Sequence, residues 1–249
     1  MGHKVHPRAH RMQVIYTWDS KWFGRHNYAK LAEQDINIRE YLGKKFKDAH
    51  IDSISVERSP KNMKITIFAA KPGFIIGRGG KALDELRKEI ERKYLQMSLR
   101  VKLNIKELRS PALSAAVIAQ TCAADIERRV PFRRVIKQSI ERVMKAGAKG
   151  VKIGMAGRLN GVEIARNEKL QAGTVPLITM RSDVDYSFVE AHTIYGKIGI
   201  KVWVCHGEVF GRKDKFADSE EEEKKPQKES FNKRPRVQSF KGGNRDKKN

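Results

Sequence analysis

The segment Lys71-Pro72-Gly73-Phe74-Ile75-Ile76-Gly77-Arg78-Gly79-Gly80-Lys81 is the most informative part of this 249-residue chain. Its glycines predict a tight loop, because glycine adopts left-handed backbone conformations at little steric cost. The apolar residues that follow recur at the spacing of one helix face: Leu83, Leu86, Ile90 and Tyr94. A glycine-rich loop that opens a helix brings main-chain N–H groups and a partial positive charge together. This arrangement favours an anionic ligand.

Three nucleotide-binding patterns can be tested on this loop. A P-loop would need Ser or Thr at Ala82 and glycine at Ile75, so it fails at two positions. The dinucleotide fingerprint finds no match in residues 73–80. The pattern Ile75-Ile76-Gly77-x-x-Gly80 does fit the loop with which KH domains clamp about four nucleotides of single-stranded backbone.

In that interpretation each part of the loop has a task. Arg78 and Lys81 would add full charges beside the main-chain amides, and Ile75 and Ile76 would form part of an apolar floor beneath the bases. The alternative is a tight turn between two helices with no ligand.

The surrounding segments predict a small α+β unit. Its other elements are a helix, two strands and a returning strand after the loop helix, at 28–46, 51–56, 63–67 and 101–105. The order helix-strand-strand-loop-helix-strand predicts a type II KH domain over residues 28–107, preceded by an N-terminal arm over 1–27.

A second unit follows. Two helices are predicted from Ser110 and from Phe132 to about Lys145, separated at Pro131, and Asn160-Gly161 predicts a hairpin turn. Strands are predicted at 151–155, 177–180, 183–191 and 198–205. The fold class is therefore α+β: the KH domain is followed by an α/β sandwich domain of two helices on an antiparallel sheet over 108–211. Residues 212–249, basic and acidic with few aliphatics, predict a disordered tail.

The charge of the chain favours a polyanionic partner. Fifty-two Lys and Arg against 29 Asp and Glu give a formal net charge of +23, and residues 1–211 alone carry +18. A compact protein with this charge repels itself unless a polyanion neutralises it. A supercharged soluble surface without a partner is the plain alternative.

Several other classes find no support. The chain has no apolar stretch long enough for a membrane span and no signal peptide. Cys122 and Cys205 lie far apart, which favours a reducing, cytoplasmic setting without disulfides. His3, His6 and His10 lack an acidic or cysteine partner for a metal. We expect no enzymatic activity, cofactor, metal, membrane partner or small-molecule substrate.

The second predicted helix of the C-terminal unit has two distinct faces. At 100° per residue, Arg133, Arg134 and Lys137 fall within an arc of about 100°. The apolar residues occupy a separate arc: Phe132, Val135, Ile136, Ile140 and Val143. One face would pack and the other would present a fixed cationic stripe, unless the cations only solvate the helix.

The N-terminal arm interleaves aromatic rings with cations. Trp18, Trp22 and Phe23 stand among Lys4, Arg8, Arg11, Lys21 and Arg25. Such a pattern suits contact with RNA. It equally suits docking of the arm onto a protein core, and the sequence does not separate the two.

An ordered set of motifs resembles one family over about residues 1–211. The motifs are Met1-Gly2-x-Lys4-Val5-His6-Pro7, Ile76-Gly77-x-x-Gly80, Glu127-Arg128-Arg129-Val130-x-Phe132-Arg133-Arg134, Gly147-Ala148-Lys149-Gly150, Gly157-Arg158-Leu159-x-Gly161-x-Glu163-Ile164-Ala165-Arg166, Val175-Pro176-Leu177, Ala191-His192-Thr193-x-Tyr195-Gly196 and Gly199-x-Lys201-Val202-Trp203. They are similar to the KH-containing protein of the bacterial small ribosomal subunit that is conventionally called S three. The tail from 212 matches no pattern of that family.

The resemblance implies a non-catalytic constituent of the head of the small subunit, in the cytoplasmic ribosome. Its implied partners are small-subunit rRNA, mRNA at the pore where it enters, and neighbouring ribosomal proteins of the head and of that pore. RNA would be bound by the KH loop, at Ile76, Gly77, Arg78, Gly79, Gly80 and Lys81. The stripe of Arg133, Arg134 and Lys137 would help to unwind structured mRNA. Further rRNA contacts are expected at Lys4, His6, Arg8, Arg128, Arg129, Arg158 and Arg166.

Two rival functions differ in class. A free KH-type RNA-binding regulator would need only the Gly77–Gly80 loop, and the motifs of the second domain argue against it. A nuclease would need metal-binding carboxylates, for which Asp183 and Asp185 are candidates. No third acid stands at suitable spacing, so these two are expected to be polar residues of a half-exposed strand.

Overall fold

A computed structural model describes residues 4–24, 27–95 and 99–210, and at Arg78 it describes the main chain alone. The predicted tail at 212–249 lies outside these residues. The first sheet has the strand order β1-β2-β3-β4. Its strands are β1 (Ser20–Lys21), β2 (Ile51–Arg58), β3 (Asn62–Ala69) and β4 (Arg100–Glu107). β2 runs antiparallel to β3, whereas β1 with β2 and β3 with β4 are parallel pairs.

The helices of the first unit are α2 (Tyr28–Lys45), α3 (Gly73–Ile76) and α4 (Lys81–Lys93), and the short helix α1 (Pro7–His10) belongs to the N-terminal arm. α2 and α4 each bury a pair of apolar side chains one helical turn apart, because residues i and i+4 share a helix face. These are Ile38 with Leu42 and Leu86 with Ile90. All four join one core with the strand residues Val56, Met63, Ile65 and Ile67. The loop before α4 is thereby fixed to the edge of a packed domain.

The second unit places two helices against an antiparallel sheet. α5 (Ala115–Glu127) and α6 (Phe132–Lys145) pack against a sheet of order β6-β5-β8-β7. Its strands are β5 (Gly150–Gly157), β6 (Arg166–Gly173), β7 (Ser182–Thr193) and β8 (Gly196–Glu208). The alternation predicted for the last strand is confirmed, since the core takes Ile198, Ile200, Val202 and Val204. The predicted α+β fold is confirmed for both units.

Two local predictions in this unit were wrong and one was confirmed in part. Residues 177–180 form no strand, and the strand that pairs with β5 is instead the polar β6. The hairpin predicted at Asn160-Gly161 is present, because these residues lie in the connection between the antiparallel strands β5 and β6, but they form a short 3₁₀ turn in a longer loop. The first helix starts at Ala115 rather than Ser110, because Ser114 caps it by accepting a hydrogen bond from the N–H of Val117 at 3.3 Å.

The N-terminal arm docks onto the second unit through Arg11, whose side chain is fully buried. The Arg11 guanidinium donates to the carbonyl of Ser182 at 2.6 Å. Four more main-chain carbonyls accept from it at 2.9–3.0 Å, those of Pro7, Pro176, Leu177 and Thr179. Burial lowers the pKa of Arg11. Arg11 is thus a structural residue, and for this part of the arm docking is the correct alternative.

Further along, the same arm reaches the first unit at a buried carboxylate. Asp35 of α2 accepts hydrogen bonds from Trp22 at 2.8 Å and from Ser20 at 3.0 Å. It also pairs with the buried guanidinium of Arg58 in β2. A buried charge is tolerated only when it is paired and hydrogen-bonded. The arm is therefore attached to both units.

None of the helices among the described residues combines the length and the apolar composition that a membrane span requires.

Candidate nucleic-acid interface

The glycines of the loop take the conformations that the sequence predicts. Gly77, Gly79 and Gly80 have φ of +68°, +66° and +75°, a region that costs free energy for other residues. A Cβ at Gly77 would stand 2.7 Å from the Cβ of Ala82, whereas Gly79 and Gly80 face open space. Gly77 is therefore needed for close packing as well as for its backbone angles.

Helix α4 begins directly after this loop with Gly80 as its N-cap. In the described structure no side chain caps its first N–H groups, which remain to be satisfied by water or a ligand. Lys81 is exposed beside them, and the side chain of Arg78 lies outside the described part of the chain. The first turn of α4 thus combines N–H groups without a side-chain cap, the exposed Lys81 and one carboxylate, Asp84.

The apolar floor predicted at the loop has a different composition. Ile75 is fully buried in the core and cannot face a base, so that expectation was wrong. Ile76 is 39% exposed and Phe74 is 62% exposed. The ammonium of Lys71 stands 5.9 Å from the centre of the Phe74 ring. Phe74 was not predicted as part of the loop surface, although an aromatic residue within three positions of Gly77 could have indicated an exposed ring there.

The two faces predicted for α6 are present. Its buried side chains are Phe132, Val135, Ile136, Ser139 and Val143. Arg133, Arg134 and Lys137 are exposed on the opposite side. Arg133 approaches Glu168 of β6 at 3.4 Å. Arg134 and Lys137 form no ion pair with any residue that the structure describes, so they carry uncompensated charge.

The four other predicted arginines do not form one cluster. Arg129 and Arg158 line a groove of about 450 Å³ beside Phe132. Arg166 stands 5.5 Å from the centre of the Phe132 ring and 3.5 Å from Glu168, close to Arg133. Arg128 lines a different groove of about 390 Å³, at the junction of the two units.

The arm residues predicted to contact rRNA are mostly engaged within the protein. His6 accepts a hydrogen bond from the N–H of Ala9 at 3.3 Å, and its ring meets Tyr186 edge-on at 4.7 Å. Burial, and next the charge of Arg8, lower the pKa of His6. Arg8 donates to Asp19 at 2.8 Å. Lys4 is exposed.

The carboxylates considered for a nuclease have structural partners. Asp183 accepts a hydrogen bond from the Tyr16 hydroxyl, and burial, followed by the charge of Asp183, raises the pKa of Tyr16. Asp185 accepts from the N–H of Ala115 at 2.9 Å. The residues that the structure covers contain no group of three or more His, Cys, Asp and Glu side chains placed to hold a metal.

Both units match known protein families. Residues 37–113 match the family described as "KH domain". Residues 122–204 match the family described as "Ribosomal protein S3, C-terminal domain". The two matches follow one another along the chain in the order of the two sheets.

Curated relatives extend this likeness over most of the chain. The chain is 45% identical over 213 residues to "Small ribosomal subunit protein uS3" of Ligilactobacillus salivarius, which covers 86% of this chain and 96% of the relative. The protein of that name from an Exiguobacterium species is 45% identical over 221 residues, covering 89% and 100%. The one from Burkholderia cenocepacia is 44% identical over 215 residues, covering 86% and 80%.

Proposed function

The chain belongs to the family of the small ribosomal subunit protein uS3, and we propose that it binds small-subunit rRNA and guides mRNA along the stripe of α6. In this proposal it is a structural constituent of the cytoplasmic small subunit, next to other ribosomal proteins of the head. It performs no chemistry. Its KH loop holds single-stranded RNA backbone on the first N–H groups of α4.

The cationic stripe on the exposed face of α6 is the observation that carries the proposal for mRNA. Arg134 and Lys137 project from a helix whose other face is anchored by Phe132 and Ile136, both buried. Cations on a packed helix can hold the phosphates of a single strand as a duplex frays, because the backbone that carries them need not be reorganised on binding. Translocation by the ribosome supplies the force, so the stripe needs no nucleotide hydrolysis.

The test replaces all three stripe residues with alanine. We expect assembly and translation of unstructured mRNA to stay near wild type, while elongation through a stable hairpin slows severalfold. The measurement is the ratio of elongation rates on hairpin and hairpin-free messages. A matched control removes three exposed cations from the region of α2, at Lys30, Lys44 and Lys47. An unchanged ratio would exclude unwinding, and equal slowing on both messages would identify a structural rRNA contact.

Single substitutions refine the same experiment. Glu168 already compensates Arg133 in part, so Arg133→Ala should change the ratio less than Arg134→Ala does.

Sedimentation of tagged protein separates the proposal from the free-regulator alternative. A ribosomal constituent co-sediments with small subunits, whereas a regulator is found chiefly outside them.

A further inference from the structure

We propose that the groove between the α5–α6 turn and the β7–β8 hairpin binds one unpaired nucleotide of RNA. Tyr195 would stack on the base, and Arg129 and Arg158 would hold the phosphate. The inference deepens the proposed function and rests on the chain's affinity for RNA, but it does not depend on unwinding at the α6 stripe.

The groove has the size and lining of a ligand site. Its volume of about 450 Å³ falls in the range of about 300–1,000 Å³ typical of sites for small ligands. Segments far apart in sequence meet in it, among them 126–132, 158–161 and 192–195. Phe132, the first residue of α6, is part of its wall. The groove thus adjoins the stripe, and one RNA strand could contact both.

Tyr195 supplies an exposed ring that is held in place. Its side chain is 55% exposed. A Cβ at Gly161 would stand 2.9 Å from the ring, so the absence of a side chain there lets the ring lie close to the β5–β6 connection. The Arg158 guanidinium carbon stands 5.4 Å from the ring centre. A ring supported in this way is suited to stacking on a base, an interaction that tolerates any base.

The charge in the groove is positive and only partly used. Arg158 donates one N–H, from Nε, to the carbonyl of Val162 at 2.9 Å, and a guanidinium has five N–H donors. Glu127, the acidic residue in the lining, accepts the main-chain N–H of His192 at 3.0 Å. Arg129 forms no ion pair within the described part of the chain. These cations favour a phosphate.

The backbone of Arg129 points to the same conclusion. Its φ is +65°, at the position just after a helix C-cap where glycine is strongly preferred. The turn is closed by the N–H of Arg129 on Ile126 at 2.9 Å and the N–H of Val130 on Asp125 at 3.1 Å. Neither bond needs the arginine side chain. An arginine in this conformation lowers stability relative to glycine, and it places a cation at the groove.

This strain gives the decisive variant, Arg129→Gly. The full chain is titrated against a fluorescent single-stranded 12-mer of uridylate, on a background of R78D and G79D that silences the KH loop. Arg129→Gly should keep or raise the melting temperature and weaken RNA binding about fivefold or more. Tyr195→Ala should weaken it about tenfold, in keeping with the loss of one stacked base. Tyr195→Phe should bind as the parent does, and Ile178→Ala, which trims a side chain 90% exposed elsewhere, is the control.

Photo-crosslinking of a 4-thiouridine 12-mer to the wild-type chain locates the contact independently. Crosslinks within residues 192–196 support the groove, and crosslinks confined to the KH loop and α6 would overturn it. The proposal is also wrong if Arg129→Gly and Tyr195→Ala leave RNA binding unchanged but release a ribosomal protein from purified subunits, because the groove is then a protein interface. The two proposals can also fail separately. If crosslinks form at Tyr195 but the ratio of elongation rates is unchanged in the stripe variant, the groove proposal holds and the unwinding proposal is wrong.

Discussion

Helices α4 and α6 both present positive charge to solvent, but they do so with different parts of the chain. α4 offers main-chain N–H groups at its N-terminus, behind glycines with positive φ. α6 offers side chains along its flank, at Arg133, Arg134 and Lys137. The surface at the start of α4 therefore depends on backbone conformation, which the addition of a single methyl group can disturb. The surface along α6 depends on side-chain charge, which is less sensitive to small changes of conformation.

The two helices are also anchored differently. α4 buries Leu86 and Ile90, and its Glu89 accepts hydrogen bonds from Lys45 and Lys93 at 2.6 Å each. The charged contact of α6 with another element, between Arg133 and Glu168, is longer at 3.4 Å, and the helix is held by its buried Phe132, Val135, Ile136 and Val143. A change of pH or salt concentration that weakens ion pairs should therefore destabilise the packing of α4 more than that of α6.

The largest expected effect comes from placing negative charge on the loop. R78D with G79D leaves Gly77 and Gly80 in place for the turn. We expect single-stranded RNA binding by the full chain to fall about a hundredfold, because charged hydrogen bonds worth roughly 1.5–3 kcal/mol each are replaced by repulsion. The melting temperature should fall by only about 2–4 °C, because aspartate tolerates the left-handed conformation of position 79 better than other non-glycine residues do. G43D with K44D makes the same change of charge on the exposed side of α2, and comparable loss there would mean that net charge alone governs binding.

The next effect tests backbone shape by adding one methyl group. Gly77→Ala meets Ala82 and adopts a disfavoured φ, so we expect it to cost about 2–4 kcal/mol in the free energy of unfolding. Gly79→Ala faces open space and should cost only about 1–2 kcal/mol, the price of the left-handed conformation. Urea unfolding measures both. Equal losses would show that contact with Ala82 does not constrain the loop.

The smallest effect concerns the charged anchor of α4. Hydrogen bonds from Lys45, Lys93 and Tyr41 lower the pKa of Glu89 to about 2. A carboxylate with a lowered folded-state pKa stabilises the fold above its unfolded pKa of about 4.3 and loses this contribution as the pH falls towards 2. Because Glu89 is partly exposed, Glu89→Gln should lower the free energy of unfolding by less than about 1 kcal/mol at pH 7.

The pH dependence distinguishes this anchor from a general effect of charge. The difference between Glu89→Gln and wild type should be constant from pH 7 to pH 5 and shrink below pH 4, as followed by urea unfolding at each pH. The control is Glu141→Gln on α6, where an exposed Lys145 lowers the pKa of a carboxylate outside the core. A Glu89→Gln difference that persists unchanged at pH 2.5 would contradict the assignment.

Elements with strong periodicity could be predicted from the sequence, and elements defined by distant partners could not. The alternation of β8 gave the face that packs against the helices correctly because that strand is central, but it did not indicate that Trp203 and Cys205 on the other face are buried as well. β6 was missed since it is a polar edge strand. The strand expected at 177–180 does not form, because the guanidinium of Arg11 takes the carbonyls of Leu177 and Thr179. No local pattern reveals that a residue some 165 positions earlier uses those groups.

The same division holds for the candidate sites. The KH loop and the α6 stripe are each contiguous in sequence, so spacing could predict the glycine conformations of the loop and the exposed face of the helix, while their binding of RNA stays a prediction. The groove at Tyr195 is assembled from three separate segments. Its arginines could be named from a family resemblance, but their meeting with the Tyr195 ring depends on the tertiary fold. His6 and Arg8 show the same limit, since the basic composition of the arm did not indicate that His6 packs edge-on against Tyr186 and that Arg8 pairs with Asp19.

The burial of Arg11 has a consequence for how the protein is made. Its acceptor on Ser182 lies 171 residues further along the chain. At a synthesis rate of about 5–20 residues per second, the guanidinium waits on the order of ten to thirty seconds before its carbonyls leave the ribosome. The KH unit has been fully synthesised long before that moment. It can fold while the second unit, onto which the arm docks, is still incomplete. The N-terminal arm, although it is synthesised first, can therefore dock only at the end of synthesis. A nascent chain stalled within β6 would have a folded KH domain, and its Arg11 would not yet be bound to Ser182.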